Sequence, residues 1–87
     1  LELEGCRRVA VSGCVFADGV PYGVDAENCS DVRITGCIIS SENKARESMG
    51  ALRFHGNGER NGVASNNLLG SIEISPKSGV SLHENIN

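Results

Sequence analysis

The chain repeats itself. Setting LELEGCRRVAVSGCVF, from Leu1, over VDAENCSDVRITGCII, from Val24, brings Glu4 onto Glu27, Cys6 onto Cys29, Val9 onto Val32, Val11 onto Ile34, Gly13 onto Gly36 and Cys14 onto Cys37, a period of 23 residues. A third copy keeps the frame more loosely. Leu52 and Phe54 open it, Asn57 takes the first Cys position, Val63 the Val/Ile position, and Asn66, followed by Leu68, the second Cys position. The fourth runs from Ile72 and Ile74 through Val80 and Leu82 to Asn85, which falls where Cys14, Cys37 and Asn66 stand earlier. Units of this size cannot bury an apolar face alone and must stack on their neighbours. Four of them, at about 1–23, 24–51, 52–71 and 72–87, account for residues 1–87 as a single array.

Each copy contains two short alternating pairs, such as Leu1/Leu3 and Val9/Val11, and a period of two puts both apolar side chains on one face of a strand. A third apolar position, Phe16, Ile39 or Leu68, follows a turn. Eleven Gly against two Phe, one Tyr and no Trp fit an all-β chain with frequent turns. Three short strands per unit, each apolar on one face, close into a tube when like positions stack about 4.8 Å apart along its axis. The chain opens on Leu1 rather than Met and is small for a domain, so it is expected to be a stretch of a longer array, stacking on further coils of a parent chain. The segment SSENKARESMGA interrupts the repeat. Its Glu42/Arg46 spacing, helix-forming residues and terminal Gly50 predict one short helix in the 40–51 loop.

The column Cys14, Cys37, Asn66, Asn85 is the most informative position. Asn stacked on Asn in register can hydrogen-bond along the column and satisfy the backbone of a turn, and a small Cys fills the same corner. On VAVSGCVF, VRITGCII, GVASNNLL and VSLHENIN, the chain resembles the pectate-lyase-like family of right-handed parallel β-helix proteins over essentially its full length. The resemblance implies an all-β solenoid of about four coils with three short strands each. It also implies a carbohydrate-active protein, secreted or at the cell surface, that binds an extended polysaccharide along the first-strand face or cleaves it as a lyase or glycoside hydrolase.

On that resemblance the first strands cover 1–4, 24–27, 52–55 and 72–75. Their outward residues form two columns, Glu2, Asp25, Arg53 and Glu73 beside Glu4, Glu27, His55 and Ser75. Asp25, Glu27, Arg53 and His55 are the candidate catalytic residues, and Glu2, Glu4, Glu73 and Tyr22 the candidate substrate-binding ones. Residues two apart on a strand lie roughly 7 Å apart and neighbouring strands about 4.8 Å. Such spacings suit either retaining or inverting glycoside hydrolysis, and a carboxylate beside Arg and His also suits proton abstraction from a uronic acid. The same charges equally suit a solvated strand face. Of the family's polygalacturonase-like signatures only fragments stand here, in Phe54-His55-Gly56 and Arg33-Ile34-Thr35. No cofactor is assigned; Ca2+ would accompany a lyase, although no DxDxDG-type loop is present.

The remaining features exclude more than they assign. A net charge of -3 argues against a phosphate-binding surface, so nucleic acid is not an expected partner. No apolar run approaches the roughly 20 residues that cross a bilayer as a helix, so no membrane partner is expected either. Cys6 and Cys14, like Cys29 and Cys37, enclose seven residues, without the CxxC hairpin of a zinc site. Their replacement by Asn57, Asn66 and Asn85 reads as small turn-filling residues. A second functional class stays open: a structural or adhesive shaft of a surface or tailspike-like protein, in which the charged strip only keeps the array soluble.

Overall fold

In a computed structural model the described residues are 1–17, 19, 21–40 and 50–87. They form eleven strands and no helix. The first repeat supplies β1 (Glu2–Glu4), β2 (Arg7–Ser12) and β3 (Val15–Ala17); the second, β4 (Tyr22–Glu27), β5 (Ser30–Thr35) and β6 (Ile38–Ser40). The third supplies β7 (Gly50–His55), β8 (Asn61–Ala64) and β9 (Asn67–Leu69), and the last β10 (Ile72–Ile74) and β11 (Val80–His83). Every pairing is parallel, and like strands pair with like: β1-β4-β7-β10, β2-β5-β8-β11 and β3-β6-β9. The 23-residue frame is thus the register itself, with Glu4 beside Glu27, Val9 beside Val32 and Phe16 beside Ile39. The expected third strand of the last repeat is reduced to one bridge, Asn67 with Ile86.

The core lies between the three sheets. Val24, Val32, Ile34, Ile39, Leu52, Phe54, Val63 and Leu68 are wholly or almost wholly buried, and they come from the two middle repeats. Their equivalents in the outer repeats, among them Leu3, Val9, Phe16 and Ile72, pack on this core while staying partly open. Parallel pairing between repeats leaves the corners as the difficulty, because turn backbone groups there need partners. Two stacked asparagines, one buried and one half-buried, provide them. Asn66 accepts the Cys37 N–H at 2.8 Å through Oδ1, and its amide donates to the Ile34 carbonyl at 2.9 Å and to Asn85 Oδ1 at 3.0 Å. Asn85 repeats the pattern one unit on, donating to the Val63 carbonyl at 2.8 Å. The Asn ladder expected from the sequence is therefore present.

Asn61 is a second brace, and the repeat alignment gave no sign of it. It occupies the Val9/Val32 position, accepts the Val32 N–H and donates to the carbonyls of Cys29 and Ser78, each at 2.8 to 2.9 Å. Corners also stack in the left-handed conformation: Arg8, Asp31, Arg60 and Gly79 at one, Gly13, Gly36, Ser65 and Glu84 at another. The expected helix falls largely on 41–49, outside the described residues. Gly50, taken from sequence as its end, instead opens β7 beside Tyr22, where a Cβ would lie 2.7 Å from the Ser71 carbonyl oxygen.

Candidate functional site

The first sheet presents the two outward columns read from the sequence. Glu2, Asp25, Arg53 and Glu73 stand in register across β1, β4, β7 and β10, and Glu4, Glu27 and His55 run alongside. Alternation supplies this face, since Val24, Ala26, Leu52 and Phe54 point the other way into the core. A depression of about 210 Å³ opens over it, lined by Glu2, Glu4, Asp25, Glu27, Arg53 and His55.

Asp25 is the hub. Arg53 grips it as a fork, Nε to Oδ1 at 3.0 Å and Nη2 to Oδ2 at 2.7 Å, and His55 Nε2 lies 3.2 Å from Oδ1. The Asp25 side chain is only 11% exposed, so both of its oxygens are spoken for within the protein. The hydrogen bonds it donates to Asp25 hold the Arg53 guanidinium above its ordinary pKa, keeping the fork charged throughout. His55 Nδ1 lies 3.9 Å from Glu27 Oε2, so the imidazole bridges the two carboxylates of β4. Glu27, at 44% exposure, is open to solvent where Asp25 is not.

Tyr22 differs from its expected role. Its side chain is 5% exposed, with the Arg53 guanidinium carbon 4.8 Å above the ring centroid and the hydroxyl donating to Glu73 Oε2 at 2.6 Å. The ring is thus covered rather than offered to a sugar. That hydrogen bond, with burial behind it, pushes the phenol above its ordinary pKa. Strict alternation would send Tyr22 into the core with Val24. Instead the ring lies against Arg53 and Glu73 of the outer face, while a Cβ at Gly23 would point at Ile39 of the core. Glu73 therefore anchors Tyr22, while Glu2 and Glu4 flank Asp25 and Glu27 without an ion pair among the described residues.

No group of three or more His, Cys, Asp or Glu among the described residues is arranged to hold a metal ion. Both Asp25 oxygens are engaged by Arg53 and His55 and so are not open to a cation. The four cysteines are free thiols. Burial pushes the Cys29 thiol up, away from the thiolate that a nucleophile requires. His83, the last residue of β11, lies 3.4 Å from Glu84, and both side chains are exposed. Comparison of the chain with protein-family models, with curated proteins and with solved structures returns no match.

Proposed function

We propose that the chain is a stretch of right-handed parallel β-helix of the pectate-lyase-like kind whose first-sheet face binds an extended glycan. The observation that supports this is the in-register ladder of ionisable side chains around Asp25, set in a depression that continues from strand to strand. A polymer of repeating units is met here by a surface with a repeat of about 4.8 Å. Charge narrows the ligand. Glu2, Glu4, Asp25, Glu27 and Glu73 outnumber Arg53 and His55, so a polyuronate is repelled and a neutral or amino-sugar chain is favoured.

Within this reading the half-buried fork of Arg53 on Asp25 positions, and the more accessible groups act. Glu4 and Glu27 are in register on adjacent strands, whose spacing of about 4.8 Å is near the roughly 5 Å carboxylate separation of retaining hydrolysis, and His55 lies beside Glu27. A second reading, the non-catalytic shaft, draws on a different observation: Arg53, Asp25 and His55 satisfy one another, as do Tyr22 and Glu73. The test is affinity electrophoresis and reducing-end release on neutral, amino-sugar and acidic polysaccharides. Wild type is compared with the His55→Ala, Arg53→Ala and Glu27→Gln variants. Binding of a neutral or amino-sugar polymer that weakens about tenfold in at least one variant supports the glycan reading. No retarded polymer, or retardation equal in all four proteins, selects the shaft.

A further inference from the structure

The second sheet carries a different surface. Four of the eight Lys and Arg residues of the chain, Arg7, Arg8, Arg33 and Arg60, gather on and beside β2, β5 and β8. Among the described residues, Asp31 and Glu59 oppose them there. Arg60 is spent on both, with Nε and Nη2 on the two Asp31 oxygens at 2.7 and 3.0 Å and Nη1 on Glu59 at 2.6 Å. That pairing holds the Asp31 carboxyl below its usual range, with weaker help from Arg8 and Arg7. The corner keeps a surplus of positive charge on a chain that is negative as a whole.

Arg33 supplies the free fork. It has no salt bridge or side-chain hydrogen bond among the described residues, and it lies along the sheet over Gly62, where a Cβ would come within 3.4 Å of its Cδ and 3.6 Å of Nη1. A methyl group there would be in ordinary van der Waals contact with Arg33, so only a bulkier, branched side chain would displace the guanidinium. A depression of about 380 Å³ opens beside it, lined by Asp31, Arg33, Arg60, Asn61, Gly62 and Ser81. An unpaired planar fork, a second guanidinium fixed by its own carboxylates and a free hydroxyl at Ser81 are the elements of oxyanion recognition.

We infer that this depression on the second sheet is an anion site that takes a carboxylate or sulfate group, with Arg33 as the bidentate donor and Arg60 as its braced neighbour. It lies on a different sheet from the glycan face and does not depend on that reading. It also gives the protein two faces of opposite preference, neutral or amino sugars on the first sheet and acidic groups on the second.

The experiment is a two-dimensional NMR titration of the protein with sodium sulfate and, separately, sodium glucuronate, with sodium chloride holding ionic strength constant. Saturable shifts centred on the Arg33 side-chain N–H, Gly62 and Ser81 are expected. They should weaken about tenfold in Arg33→Gln. Gly62→Val keeps every charge but lifts Arg33 from the sheet, and should weaken binding as well. Sulfate saturating without glucuronate assigns the site to sulfate, and the converse to carboxylate. Shifts that stay linear for both anions, or that are equal in the two variants and wild type, overturn the proposal. Both substitutions are on the outer face, and unchanged core resonances confirm that each variant is folded.

Discussion

At the scale of the residue, the stacked asparagines matter more than any charge. Asn66 is 1% exposed and makes every hydrogen bond its amide can direct at the corner, to Cys37, Ile34 and Asn85. Truncation leaves a buried N–H and a buried carbonyl without partners, and each such orphan costs about 1–3 kcal/mol. Asn66→Ala should therefore lower unfolding free energy by about 3 kcal/mol in urea denaturation, a large share of the stability of a chain this size. Asn67, its neighbour, points outward and is exposed, so Asn67→Ala should stay within about 0.5 kcal/mol of wild type. Similar losses for the two would mean that the ladder is incidental to the corner.

At the scale of the element, the first sheet is stitched laterally as well as by its backbone. Tyr22 on β4 reaches across β7 to Glu73 on β10, and Arg53 of β7 caps the ring on the way. A phenol whose folded pKa is raised contributes stability that is fully present below the ordinary value of about 10 and lost as pH rises through the folded value. Tyr22 is the sole tyrosine and there is no tryptophan, so phenolate absorbance reports this group alone. Glu73→Gln should bring the titration down toward the ordinary value and soften the alkaline loss of stability; an unmoved titration would show that the carboxylate does not govern it. How much of this was legible in the sequence follows from period. Glu2, Asp25, Arg53 and Glu73 were placed correctly, because a repeat fixes the register and alternation fixes the face. Tyr22 was also expected at this face, but its covering was not legible, because it depends on Arg53 and Glu73 from two other repeats closing over the ring. Asn61 was missed for a related reason: its partners, Val32, Cys29 and Ser78, belong to the repeats on either side of it.

At the scale of the molecule, contacts run almost wholly from repeat to repeat, so stability is expected to behave as a sum of nearest-neighbour terms with the middle units held from both sides. The column Val11, Ile34, Val63, Leu82 shows the gradient along one line of equivalent positions. Ile34 and Val63 are fully buried, Val11 is partly open, and Leu82 is 47% exposed. The same deletion should then have unequal consequences. Ile34→Ala removes a side chain enclosed by neighbours above and below and should cost about 2–5 kcal/mol. Leu82→Ala, at the outer end of the column, should cost less than about 1 kcal/mol because most of what it removes is already in contact with water. Native-state hydrogen exchange offers a check without substitution: amides of β5 and β8 should exchange only through global unfolding, and those of β2 and β11 through fraying of the outer repeats. Equal protection across the four strands, together with equal costs for Ile34→Ala and Leu82→Ala, would mean that the repeats fold as one cooperative block. The gradient of burial would then say nothing about the order in which they open.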